Sequence, residues 1–295
     1  MTLRQTLKTI YRRVPFKRQL FSVVKTFVTP SESVYKHLHF QDDFRVCVDE
    51  KHSFRMHHGG LELENTLFWV GPSGGWERNS MSIWIKLVKN ARVIFDIGAN
   101  TGYYSLVAKA LNPQAKIYAF EPIAESFHNL EYNNKINDFD IVCFDCAASN
   151  VDGEANIFAA PDDFYAVTLN KDYLDKKDIS SVPTTIKVAR LDTLIEELKI
   201  EKIDLIKLDV ETYEAEVLEG LGKYLDEFRP TLLIEILNDD VGHRIEALIK
   251  GKDYLYFNID EDSDSIRKVD EITKSDYYNY LICNRRVAAE IGLIE

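Results

Sequence analysis

Residues 92–102 read Arg-Val-Ile-Phe-Asp-Ile-Gly-Ala-Asn-Thr-Gly, and this stretch decides the fold. The run Val-Ile-Phe-Asp-Ile is apolar on both alternating faces apart from Asp96, as expected of a strand buried inside a parallel sheet. The glycine loop Gly98–Gly102 leads into an apolar helix that Asn112-Pro113 should stop near Leu111. Strand, glycine turn and helix in that order put the loop outside the strand's carboxyl end, where open α/β sheets bind ligands.

Outward from there the same alternation continues. Residues 116–120 form a second strand closed by Glu121-Pro122, with the proline suited to the first turn of a helix. Further strands are expected at 141–147, 203–208 and 231–236, each an apolar run. A last pair, 254–259 and 277–283, is joined by the acidic loop 260–264 and should be antiparallel. Upstream, Asn79 or Ser80 can cap a helix bearing Met81, Trp84, Ile85 and Val88. After residue 211 one helix should align Val217, Leu218, Leu221, Tyr224 and Leu225, and another should run over 241–250 to Gly251. Residues 150–190 interrupt the pattern with strands near 155–159 and 185–189, after which Asp192 can cap a helix over 193–199. Before residue 79, short strands are expected at 45–48, 53–57 and 66–70, with a glycine hinge at 71–75.

The chain is 295 residues long, 45% hydrophobic and 28% charged, a globular profile. Net charge is −12, but residues 1–28 carry seven cations and no acid, leaving −19 for the rest. That acidic body argues against nucleic acid as a partner. Leu3, Leu7, Ile10, Val14, Leu20, Phe21, Val24 and Phe27 interleave with the cations in an arm that Pro15 splits. Such an arm can rest on an anionic membrane or dock on the domain or on a second subunit. Four cysteines are too few for a disulfide scaffold, and Cys143-Phe-Asp-Cys146 reads as small apolar residues at a strand end. No membrane span and no signal-peptide pattern is evident, so a cytoplasmic, at most membrane-peripheral, location is expected.

The glycine loop is spaced G-x-x-x-G rather than G-x-G-x-x-G, and an acid precedes it. Pyrophosphate wants only N–H groups, whereas Asp96 beside the loop suits a cationic amino-acid end. Glu121 can accept from a ribose hydroxyl pair. Together these acids match S-adenosylmethionine.

The chain resembles the FkbM family of S-adenosylmethionine-dependent methyltransferases from about Glu77 to Ile282. The resemblance rests on IFDIGANTGYYSLVAK (94–109), IYAFEP (117–122), RLDTL (190–194), IDLIKLDVETYEAEVLEG (203–220), RPTLLIEI (229–236) and YNYLIC (278–283). Thr212-Tyr213 departs from the Gly-Ala or Gly-His of many members. The resemblance implies a Rossmann-like class I methyltransferase sheet, mostly parallel, of seven strands with an antiparallel last strand. Residues 1–75 would form the basic arm and a cap or oligomerisation region, and 76–295 the methyltransferase domain, with 150–190 an acceptor-side insertion. It implies a donor site of Asp96, Gly98, Ala99, Asn100, Thr101, Gly102, Glu121 and Pro122. Asp145 would lie near the adenine or simply cap a turn, and Glu77 would be an upstream site acid or a helix first-turn acid. Tyr103 and Tyr104 can pack on the donor or in the core.

For the transfer itself, alternation puts Lys207, Asp209 and Glu211 on one side, a base with a neighbouring cation. Asp209 is the first choice as base and Glu211 the second. The plainer reading is that Glu211 starts a helix and Lys207 neutralises charge. Glu235, an acid within an apolar strand, is costly unless paired or functional. These carboxylates suit a divalent ion, but nothing else demands one and no metal is assigned. His37, His39, His52, His57 and His58 are surface or hairpin residues, or alternatively supply a base. The expected activity is O-methyl transfer to a hydroxyl of a sugar, glycan or secondary metabolite. An N-methyltransferase and a non-catalytic S-adenosylmethionine-binding module stand as the alternatives.

Overall fold

The computed structural model describes residues 15–75, 77–160, 163–168, 182–263 and 265–295. The amino-terminal part of the arm and the centre of the 150–190 insertion lie outside the described residues. The chain divides into two compact units, Met1–Trp76 and Glu77–Glu295.

In the first unit, strands β1 (Asp42–Cys47) and β2 (Ser53–His58) pair as an antiparallel hairpin. Residues 66–70, expected as a strand, belong instead to the helix Glu62–Val70. Glu64 accepts from the Leu61 N–H at 3.1 Å and Gly71 closes the helix at φ 72°, so both ends carry helix signals that the apolar run concealed. Phe21 of the helix Lys17–Phe27, Phe40, Phe44, Phe68 and Trp69 form the aromatic core, with Phe40 and Phe68 4.7 Å apart. The histidines are engaged locally. His52 meets Asp49 and His57 meets Asp43, while His58 is buried, accepts from Gly60, and is pushed down to about 4 by that burial.

The second unit is built on an eight-stranded sheet. Its strands in chain order are β3 (Val93–Ile97), β4 (Lys116–Phe120), β5 (Val142–Phe144), β10 (Leu205–Leu208), β11 (Thr231–Glu235), β12 (Tyr254–Asp260), β13 (Ser265–Val269) and β14 (Asn279–Asn284). The spatial order is β13-β12-β14-β11-β10-β3-β4-β5. β5, β4, β3, β10 and β11 run parallel, and β14 is antiparallel to both β11 and β12. This is the Rossmann-like methyltransferase sheet with its antiparallel last strand. One strand exceeds expectation, because the residues after the acidic loop fold back as β13 onto the free edge of β12. The central parallel strands β3, β10 and β11 are buried on both faces, which is why they read as continuous apolar runs.

The expected strand 141–147 is split. β5 ends at Phe144, and after Asp145-Cys146 the chain enters a second, four-stranded sheet as β6 (Ala147–Ser149). β7 (Gly153–Ala160), β8 (Asp163–Thr168) and β9 (Val182–Arg190) complete it in the order β6-β9-β7-β8, with a small core of Ala147, Ile157, Ile186 and Val188. Cys143 and Cys146 are free thiols, pushed up to about 12 and about 11 by burial.

Three helix ends also differ from expectation. The helix Arg78–Val88 is capped neither by Asn79 nor by Ser80; both of their N–H groups donate to Glu261, in the turn after β12, at 2.8 and 3.1 Å. The helix Leu191–Glu197 begins at Arg190 without a side-chain cap, and Asp192 pairs with Arg190 at 2.6 Å. The long helix expected after residue 211 is two, Glu214–Gly220 and Lys223–Phe228, broken at Gly222 with φ 54°. Asn238 caps Asp239–Ile249 by accepting from Val241 at 2.9 Å.

Candidate active site

The glycine loop follows β3. Its conformation depends on glycine at both ends: Gly98 has φ 81° and Gly102 has φ 91°. A Cβ on Gly98 would lie 1.8 Å from the Asp209 carbonyl oxygen, and one on Gly102 would lie 2.6 Å from Leu130. The loop's backbone donors are largely engaged. Gly98 and Ala99 both donate to Phe120 at 3.0 Å, Gly102 to Ala99 at 2.8 Å, and Asn100 to the Glu121 carboxylate at 2.8 Å. Buried acceptors remain instead. Asn100 Oδ1 and Thr101 Oγ1 have no hydrogen-bond partner among the described residues. The Asn100 amide oxygen is an acceptor and the Thr101 hydroxyl accepts as well as donates, so both suit a cationic ammonium group.

Asp96 is fully buried, and its Oδ2 accepts from the Ser105 N–H at 2.9 Å and hydroxyl at 2.6 Å. It therefore braces the start of the helix Tyr103–Leu111. Burial pushes it up to about 6, although Ser105 and the Lys207 charge pull the other way. Glu121 is buried too, one oxygen accepting from Asn100 and the other from Ile123 at 2.8 Å, and burial outweighs those bonds to push it up to about 7. Pro122 lies outside the first turn where it was expected, two residues before Ala124 begins the helix Ala124–Ile136. Asp145 is exposed and paired with Lys187 at 2.6 Å.

A second cluster lies at the ends of β10 and β11. Register places Lys207 between Asp96 and Leu233, so its ammonium is buried; it donates to Asp209 at 3.2 Å and sits 5.0 Å above the Tyr104 ring. Burial would lower the Lys207 ammonium, but the charges of Asp209, Glu77 and Glu235 more than reverse this and raise it. Asp209, Glu211 and Glu235 each bring a carboxylate oxygen within 4.8 Å of the others. Hard divalent cations take oxygens so spaced, and Lys207 already gives Asp209 a positive neighbour. Burial first, then the charges of Asp209 and Glu211, raise Glu235 well above the carboxylate range.

Glu77 joins this cluster, not the glycine loop. It accepts from the Tyr104 hydroxyl at 2.8 Å and from Asn279 at 2.7 Å. Asn279 is directly opposite Glu235 across β11 and β14, is buried, and keeps Oδ1 without a partner among the described residues. Nothing in the local sequence singles out Asn279; only the antiparallel register brings it to the site. Glu214 was also missed. Fully buried, it accepts from the N–H groups of Val210 and Thr212, both at 3.2 Å, and so holds the turn in which Glu211 and Thr212 have φ 53° and 76°. Burial pushes it up to about 8.

The methyltransferase FkbM domain model matches residues 96–256, more than half of the chain. The chain belongs to the FkbM methyltransferase family. The match contains the glycine loop, Glu121, the Lys207–Glu214 stretch and Glu235, while Glu77 and Asn279 join the cluster from beyond the two ends of the FkbM match. The chain is similar to the methyltransferase sdnD of Sordaria araneosa, 29% identical over 55% of this chain and 73% of that one. It is also similar to the hexuronic acid methyltransferase AglP of Haloferax volcanii, 24% identical over 50% of this chain and 58% of the relative. The 31-O-demethyl-FK506 methyltransferase FkbM of Streptomyces tacrolimicus is 28% identical over 44% and 59%. The chain thus spans less than two thirds of the latter two.

Proposed function

We propose that this protein transfers a methyl group from S-adenosylmethionine to a hydroxyl of a sugar, glycan or secondary metabolite. The reading is carried by the close approach of Gly98 to the Asp209 carbonyl, which makes the glycine loop and the carboxylate cluster neighbours at one sheet edge. A donor on the loop and an acceptor at Asp209 are then adjacent, as an in-line displacement requires.

The residues fit the donor. Asn100 Oδ1 and Thr101 Oγ1 are open acceptors for an ammonium group, and Glu121 keeps acceptor capacity for ribose hydroxyls. When bound, S-adenosylmethionine supplies an electrophilic methyl group on a sulfonium. Asp209, steadied by Lys207, accepts a hydrogen bond from the acceptor hydroxyl and takes up its proton during transfer. Glu235, which holds its proton at neutral pH, donates to a second oxygen of the acceptor and orients it. AglP by its name acts on a hexuronic acid, and the Streptomyces relative on a demethylated oxygen, which supports a hydroxyl acceptor.

Calorimetric titration with S-adenosylmethionine, followed by labelled methyl transfer to a panel of glycans, hydroxylated metabolites and amines, tests the reading. Donor binding with transfer to a hydroxyl that Asp209→Asn and Glu211→Gln slow by about a hundredfold is the expected result. Absence of donor binding overturns it, as does transfer confined to amines or binding without any transfer. Wild-type rates in both variants remove the catalytic assignment.

A further inference from the structure

We infer that the helix Lys17–Phe27 is a docking surface for an anionic lipid membrane. Of eleven large apolar side chains exposed among the described residues, five lie within residues 16–28. Phe16, Leu20, Val23 and Phe27 are 76%, 54%, 57% and 86% exposed, and their i, i+4, i+7, i+11 spacing puts them in one stripe. Val28, also exposed, extends the stripe past the helix end.

The opposite face is what holds the helix to its own unit. Phe21 packs 5.6 Å from Trp69, Arg18 donates to the Asp43 carbonyl at 2.8 Å and pairs with Asp42 at 3.0 Å, and Lys25 reaches the Phe68 carbonyl. The helix is thereby fixed with its apolar stripe outward, without drawing on that stripe for stability. An exposed apolar row of this size is unfavourable in water unless something covers it.

Charge selects the occupant. Residues 1–28 carry seven cations and no acid; Arg18 and Lys25 serve the inward face, and Arg4, Lys8, Arg12 and Arg13 precede the helix in the sequence. A second copy meeting the stripe with the same stripe would bring two such arms together, which like-charge repulsion opposes. An anionic bilayer attracts the cations and accepts the phenylalanines at the headgroup boundary. No helix among the described residues is long and apolar enough to cross a membrane, so the contact is peripheral.

The test is co-sedimentation of the full chain with vesicles of neutral phosphatidylcholine alone, or with one third phosphatidylglycerol. The wild-type chain is expected in the pellet only with the anionic vesicles and released by high salt. Leu20→Ser with Phe27→Ser, both on the exposed face, and separately Arg12→Gln with Arg13→Gln, should each lower partitioning by about tenfold or more. Circular dichroism confirms that the variants fold. Wild-type protein that stays in solution with anionic vesicles overturns the inference. So does light scattering in which the stripe variant converts a dimer to a monomer while vesicle binding is absent.

Discussion

Glu121 and Glu235 both stand at the carboxyl ends of strands in one sheet, and burial raises both, yet they are held differently. Glu121 is fixed by two backbone N–H groups from residues near it in the loop and turn. Glu235 is set among side chains: Asp209 and Glu211 raise it, Lys207 opposes them, and Asn279 lies across the ladder. The surroundings of Glu121 are thus a backbone device. The surroundings of Glu235 are a charge cluster assembled from distant segments.

Gly98→Ala should break the comparison most severely, because the new Cβ would strike the Asp209 carbonyl and the φ of 81° is strained for alanine. A loss of about 3 kcal/mol or more in urea unfolding is expected, together with loss of donor binding, since both sides move at once. Glu214→Ala comes next. It removes the acceptor for two backbone donors in the 210–212 turn and should cost about 2 kcal/mol. Glu214→Gln should cost much less, because burial already favours the protonated side chain.

Glu121→Gln should weaken S-adenosylmethionine binding by about tenfold to a hundredfold in calorimetry, without moving the carboxylate cluster. Glu121 also sets a pH dependence. Its carboxyl is raised to about 7 in the folded protein, so between the ordinary carboxylate range and pH 7 the native state holds a proton that the unfolded chain has released. Stability from this group therefore falls as pH rises through that window and levels off above it. Ribose hydroxyls donating to Glu121 favour the ionised form, so donor binding should release a proton below about pH 7 and tighten as pH rises. Buffers of different ionisation enthalpy reveal that proton in calorimetry, and Glu121→Gln should abolish it. The smallest effect is expected from Asp145→Asn: an exposed pair with Lys187 contributes little, and donor affinity should stay within about twofold.

The parallel strands, the glycine loop and Glu121 were legible because each is specified within a few residues: an apolar run, a glycine at positive φ, an acid at a strand end. Residues 66–70 were misread because a short apolar run looks alike in a buried helix and a buried strand, and the Glu64 bond that decides it is a fine local signal. Likewise, the cap of Arg78–Val88 comes from Glu261, about 180 residues away, and no reading of Asn79 or Ser80 could supply it.

The sequence by itself determined that this is a mostly parallel α/β chain of methyltransferase type and where its glycine loop stands, because those features repeat periodicity and turn chemistry along the chain. Only the tertiary structure decided that Glu77 and Asn279 join Lys207, Asp209 and Glu235, that Asp145 stays on the surface, and that β13 adds an eighth strand. Those outcomes depend on register between strands far apart in sequence, where a side chain's neighbours are chosen by the sheet and not by the residues beside it.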